Sequence, residues 1–173
     1  MKRLGILGAA ALIALALPLA ASAQINISAT VASACSFGSA SVTLAGASIA
    51  AGTAVTDTGS TVNLTCNKGA TVTVALNNGA NASGTQKRLR AGVTTNYITY
   101  NLSQPNTLVD GGPNTCPSLP GTEWNAANTV SATALFASSG GPKPIPICIL
   151  VPAAQFPAAG TYTDTVTATL TVT

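Results

Sequence analysis

The sequence predicts an all-β fold, a two-sheet sandwich of the immunoglobulin-like kind, and three observations carry that expectation. Apolar and polar residues alternate with a period of two along much of residues 24–173. Val and Thr, whose β-branched side chains suit a pleated surface, supply most of that alternation. Clusters of Asn, Asp, Gly and Pro punctuate it at intervals that suit turns, and no segment reads as a helix. With 47% hydrophobic and 6% charged residues in 173, the chain is too apolar for a disordered polar segment and too poor in charge for a coiled coil.

Residues 1–23 stand apart. Lys2 and Arg3 precede an apolar run over 4–20 that ends in Ala21-Ser22-Ala23, the layout of a secretory signal peptide. Gly5, Gly8 and Pro18 interrupt the run and a small-x-small site follows it, so a removed signal is expected and no permanent membrane span. Residues 24–34 come next as an arm in which Ile25, Ile27, Ala29 and Val31 alternate with Asn26, Ser28, Thr30 and Ala32. Periodicity alone leaves two readings of this arm, the first strand of its own sandwich or a free strand offered elsewhere. Residues 35–173 form the sandwich. Its candidate strands are 42–44, 62–66, 72–76, 97–102, 130–136, 145–151 and 162–172, about seven in all. Asn67-Lys68-Gly69, Asn77-Asn78-Gly79, Asp110-Gly111-Gly112-Pro113 and Ser139-Gly140-Gly141-Pro142 are the expected turns or loops.

Export implies an oxidising compartment, in which Cys35, Cys66, Cys116 and Cys148 form an even set suited to cross-linking. Their spacings are too long for CxxC redox or zinc-ribbon patterns. Four cysteines allow three pairings and the sequence does not choose among them. In the favoured pairing, Cys35–Cys66 and Cys116–Cys148, each bridge would contribute about 3 to 4 kcal/mol by closing its loop.

Catalysis is poorly supplied. The chain has no histidine, and its only carboxylates are Asp57, Asp110, Glu123 and Asp164. Neither a triad nor a metal cluster can be assembled from them, so no enzyme, cofactor or metal is expected. Lys2 and Arg3 supply two of the +3 net charges, which leaves no basic surface for nucleic acid. Lys87-Arg88-Leu89-Arg90 reads as a solvated loop, and the lone Trp124 as a core residue.

The end of the chain is an alternating run, Gly160-x-Tyr162-x-Asp164-x-Val166-x-Ala168-x-Leu170-x-Val172. Asp164 shares the parity of the apolar residues, which puts a carboxylate on the core side unless the strand begins late or carries a bulge; Tyr162 and Asp164 are expected at the sandwich rim. Together with the signal peptide, the alternating arm before Cys35, the Phe37-Gly38 that follows it, the 62–69 and 71–79 segments, Arg88 in a loop and 97–102, this ending resembles the spore coat protein U domain, also the pilin fold of archaic chaperone–usher pili. The resemblance spans nearly all of residues 24–173. Two departures stand out: the chain ends Val172-Thr173 where such chains often end in an aromatic, and Cys116 and Cys148 add a second pair that simpler members lack.

The resemblance implies an incomplete immunoglobulin-like sandwich whose missing strand is donated by another chain. A periplasmic chaperone would lend a strand first, and at an outer-membrane usher the arm of the next subunit would replace it, with Ile25, Ile27, Ala29 and Val31 as the buried plugs and Gly160, Tyr162, Asp164, Val166, Ala168, Leu170 and Val172 as the strand that receives it. Eleven residues of arm extend to about 36 Å, enough to run along a long strand. The implied role is a structural subunit of a secreted surface pilus or coat, a polymer of itself or of related pilins, serving adhesion or biofilm formation. The competing reading is a single-domain secreted binding module or tip adhesin.

Overall fold

The computed structural model describes residues 27–173, and the signal segment and Ile25 lie outside them. Residues 27–31 belong to one unit, and Ala32–Thr173 form a compact second unit. The second unit contains eleven strands, β1 (Cys35–Phe37), β2 (Val55–Asp57), β3 (Thr61–Cys66), β4 (Val72–Leu76), β5 (Lys87–Ala91), β6 (Tyr97–Ser103), β7 (Val130–Ser131), β8 (Gly141–Pro146), β9 (Cys148–Val151), β10 (Tyr162–Thr163) and β11 (Ala168–Val172). Every pairing is antiparallel. They form three ladders, ordered β1-β3-β8, β10-β5-β6-β9-β2 and β11-β4-β7.

Where the period of two is clean it produces a strand with one face inside. Val62, Leu64 and Cys66 of β3 are buried, as are Val72, Val74 and Leu76 of β4 and Ile98, Tyr100 and Leu102 of β6. Trp124 sits among them at 1% exposure, its indole N–H donating to Val74 O at 3.0 Å, so the core role read from the sequence holds. Both favoured disulfides form: Cys35–Cys66 fastens β1 to β3, and Cys116–Cys148 fastens a long loop to β9.

The all-β class stands, but three ladders replace the expected two sheets, because several long candidates break where the chain passes from one ladder to another. The 145–151 run is two strands: the Ile147 N–H donates to Ser60 O, after which the chain leaves β3 for β6 and β2. β8 itself carries Pro142, Pro144 and Pro146, which an edge strand tolerates because it has only one partner to satisfy. The 130–136 run is a strand only to Ser131. Leu135 and Phe136 are consecutive and both fully buried, which alternation forbids, and a 3₁₀ turn over Thr133–Phe136 puts both inside. A short helix, α1 (Gly46–Ala50), also departs from the helix-free expectation; it buries Ile49. Residues 42–44 form no strand because no neighbour pairs with them.

The basic tetrapeptide is strand β5, not a solvated loop, and Arg88 lies within it. Lys87 is fully buried: its ammonium donates to Glu123 Oε1 at 2.6 Å and to Trp124 O at 3.1 Å. Arg88 stands over the Tyr97 ring, 4.0 Å from its centroid. Charge type misled the sequence reading here, because the pairing that makes burial of Lys87 tolerable comes from a residue 36 positions away.

Candidate functional site: an apolar groove beside an open strand edge

The terminal run that reads as one strand is two. β10 pairs with β5, and β11 pairs with β4 in the register Ala168↔Leu76 to Val172↔Val72. Between them the contact with the β4 side continues through a bulge. Asn77 N donates to Thr167 O at 3.0 Å, the Asn77 side-chain oxygen accepts from Thr167 N at 2.9 Å, and Ala80 N donates to Thr165 O at 3.0 Å, one residue out of step with the ladder. Alternation survives this break: Tyr162, Asp164, Val166, Ala168, Leu170 and Val172 are half-buried, and the Thr residues between them are exposed. Gly160 is exposed, and Tyr162 donates its hydroxyl to Ala158 O at 2.9 Å.

β11 is the edge of its ladder, paired with β4 alone among the described residues. Thr173 N donates to Thr71 O, which together with the Asn77–Thr167 bond places the bonded positions at the odd residues. In an antiparallel ladder the intervening residues turn their main-chain groups the other way. The N–H and C=O groups of Ala168, Leu170 and Val172 therefore face away from β4, towards a side with no ladder partner.

On that side lies a groove of about 500 Å³. One wall is the chain from Phe37 through Val42 and Leu44, and the other is Asp164 to Ala168. Val62, Leu76, Leu102, Trp124, Ile147 and Ile149 form an apolar floor. Val42 and Leu44, read as a strand, instead line this wall half-buried and without a ladder partner. No β11 residue beyond Ala168 lines the groove, and there β1 comes alongside β11 without a ladder bond between them.

The groove has one polar end. Asp164 Oδ2 accepts from the Tyr100 hydroxyl at 2.7 Å, and Oδ1 accepts from Asn81 N at 3.0 Å and Asn81 Nδ2 at 3.3 Å. Burial first, and then the hydrogen bond to the Asp164 carboxylate and its charge, push the Tyr100 hydroxyl far above its ordinary value, so it remains a donor at every ordinary pH. Gly79 has φ +90°, and a Cβ there would collide with Asp164 Oδ2 and lie 2.9 Å from Cγ. The carboxylate on the core-side parity, an anomaly in the sequence, is thus accommodated by a bulge, a glycine and a buried tyrosine. Neither Tyr100 nor Asn81 was singled out for this from the sequence; the out-of-place Asp164 was the signal that such partners had to exist.

Of the arm, Ile27 is 92% exposed, Val31 is 79% exposed and Ala29 is also exposed, and residues 27–34 take part in no ladder. Among the described residues no three His, Cys, Asp or Glu side chains gather to hold a metal ion, and no helix is long and apolar enough to cross a membrane. One other polar cluster joins two loops: Asp110 accepts from Lys143, Ser138 and Ser139. The Lys143 ammonium and the two hydroxyls hold the Asp110 carboxyl well below the usual carboxylate range.

The model of the Spore Coat Protein U domain matches residues 21–169. Among solved structures, a chain in the CsuC–CsuE chaperone–tip adhesion subunit pre-assembly complex from the archaic chaperone–usher Csu pili of Acinetobacter baumannii superposes with a TM-score of 0.52 at 19% identity, over 82% of this chain and 40% of that one. A chain from a chaperone–tip adhesin complex of CFA/I fimbriae biogenesis gives a TM-score of 0.41 at 16% identity, over 69% of this chain and 35% of that one. This chain therefore spans less than half the length of either neighbour. No curated protein sequence matches it.

Proposed function

The chain belongs to the Spore Coat Protein U domain family, and from that membership and the groove we propose that it is a structural subunit of an exported chaperone–usher pilus or coat, polymerising by strand donation. The observation that carries this reading is the coincidence of a β11 edge without a ladder partner with an apolar groove that runs along its approach, Asp164 to Ala168. An extended segment laid there would satisfy the main-chain groups of β11 and bury alternate side chains on the groove floor, the two requirements of strand addition to a sheet edge. The immunoglobulin-like sandwich is then one strand short by itself.

The arm has the matching pattern. Ile25, Ile27, Ala29 and Val31 share one face of an extended strand, and burying each Ile is worth about 1.5 to 3 kcal/mol. Because arm and groove are different surfaces, the contact between copies is heterologous and propagates as a fibre without closing on itself. A periplasmic chaperone occupies the groove first and an outer-membrane usher exchanges it for the arm of the next subunit; adhesion or biofilm formation belongs to the assembled fibre. The role is a packing one, without catalysis or cofactor. The test is electrophoresis of unboiled assemblies from cells expressing a chain that lacks residues 24–31. Loss of the ladder of multimers is expected, and a normal ladder would reject the donor role of the arm.

A further inference from the structure

The half-buried face of β11 and its approach, of which Ala168, Val166 and Asp164 line the groove, changes chemistry at one residue. Val172, Leu170, Ala168 and Val166 offer four successive half-buried apolar side chains, and the next on the same side is Asp164. An alternating strand cannot choose its own position on such a wall. A slip of one residue turns its apolar face outward and is excluded, but a slip of two preserves the facing and loses only the burial of one side chain. The arm, with Ile25, Ile27, Ala29 and Val31 all apolar, is open to that error at both ends.

Resting on the reading that a strand of a second copy fills the groove, we propose that Asp164 is the register stop, the specificity-determining residue that admits apolar side chains as far as Val166 and requires a small or hydrogen-bonding residue at the next position. An apolar side chain driven against this carboxylate would strip it of water and give no hydrogen bond in return. The carboxylate cannot swing aside. The Tyr100 hydroxyl holds one oxygen and Asn81 the other. Asn81 is itself fixed, donating to Thr163 O at 3.0 Å and accepting at its own carbonyl from Arg88 Nε at 2.9 Å, with Arg88 stacked on Tyr97. Gly79 leaves the space that the carboxylate fills. Tyr100 and Asn81 are positioning residues, acting through Asp164.

Register is directly measurable. The full chain is incubated with a synthetic copy of residues 24–34 carrying a photoreactive group at Ser28, which lies on the face opposite the plugs, and the cross-linked position is mapped by mass spectrometry. The wild-type chain and Asp164→Asn, which keeps a polar group in place, are expected to give one site. Asp164→Val adds an apolar position to the wall next to Val166 and is expected to give a second site two residues away. A merely structural role for Asp164 would lower the melting temperature of Asp164→Val without moving the cross-link, and a single unchanged site in that variant overturns the proposal. Should Asp164→Val fail to fold, Tyr100→Phe frees one carboxylate oxygen while keeping the ring. A second site is expected there in a smaller share, and its absence counts equally against the stop. Absence of any adduct to the wild-type groove would overturn the strand-donation reading and the register stop with it, whereas binding with an unmoved register overturns the stop alone.

Discussion

The Lys87 ammonium lies 2.6 Å from Glu123 Oε1, with the lysine side chain fully buried and the glutamate 30% exposed. The pair joins β5 to the loop that carries Trp124, whose carbonyl takes a second bond from the same ammonium. Removing one partner of a buried pair typically costs about 3 to 5 kcal/mol, because the other is left charged without compensation. Here the partial exposure of Glu123 puts Lys87→Met at the lower end, near 3 kcal/mol. The double variant Lys87→Met/Glu123→Gln is expected to recover much of that loss, since no unpaired charge remains. Denaturant unfolding of the two single variants and the double variant measures the coupling.

Asp57 closes the turn between β2 and β3. It accepts from Gly59 N at 2.9 Å, from Ser60 N at 3.1 Å and from the Ser60 hydroxyl at 2.6 Å. Burial alone would raise its pKa, but these three bonds to the ionised form outweigh it and hold the carboxyl below its ordinary 3.8. A depressed carboxylate stabilises the fold fully above its unfolded value and loses that contribution as pH falls through its folded value. The stability gap between the wild type and Asp57→Asn is therefore expected to be constant above about pH 5, to shrink below the ordinary carboxylate value near 3.8, and to vanish in stronger acid. Thermal melts across that range check this; a gap that widens on acidification contradicts it.

The two disulfides are expected to separate in function. Cys35–Cys66 fastens β1, a three-residue strand, whose continuation through Phe37 forms one wall of the groove. Cys116–Cys148 fastens a loop to β9, and neither cysteine lines the groove. Each double Cys→Ala variant is expected to lose about 3 kcal/mol through loop entropy. Only Cys35→Ala/Cys66→Ala is expected also to lower the affinity for the 24–34 peptide, by about tenfold if the loosened wall withdraws about 1.4 kcal/mol from binding. Calorimetric melts and peptide titration of both variants distinguish the effects, and equal losses of affinity would deny β1 its place in the groove.

What was legible in the sequence follows from how local each determinant is. Strands β3, β4 and β6 were legible because their alternation is uninterrupted and each has a face wholly inside the core. β5 was not, because burial of Lys87 depends on Glu123, a partner brought close only by folding. Breaks at Ile147 and after Thr163 were hidden because the period of two continues through them: the side chains keep alternating while the backbone changes partners. Of the groove, the Asp164–Ala168 wall was visible as a pattern, whereas Val42 and Leu44 looked like a strand and became the opposite wall for want of a neighbour to pair with. The parity of Asp164 announced a conflict, and Tyr100, Asn81 and Gly79, far from it in sequence, are its resolution.

The arm offers the sharpest discrimination between packing and mere tethering. On an extended strand Ile27 and Ser28 point to opposite faces, so the same charge introduced at each meets opposite surroundings. Ile27 is 92% exposed in the unpartnered chain, and Asp at either position should leave the stability of the monomer unchanged within about 0.5 kcal/mol. In assembly the positions diverge. Ile27→Asp forfeits an apolar plug and drives a carboxylate on to a floor formed by residues such as Val62, Leu76 and Ile149. Ser28→Asp places the same carboxylate in water on the outer face. Strand exchange followed by the appearance of multimers is expected to slow at least a hundredfold for Ile27→Asp, about 2.7 kcal/mol, and less than threefold for Ser28→Asp. Equal slowing of the two would mean that the arm joins subunits by its backbone or its charge alone, and the assignment of Ile25, Ile27, Ala29 and Val31 to the buried face would be wrong.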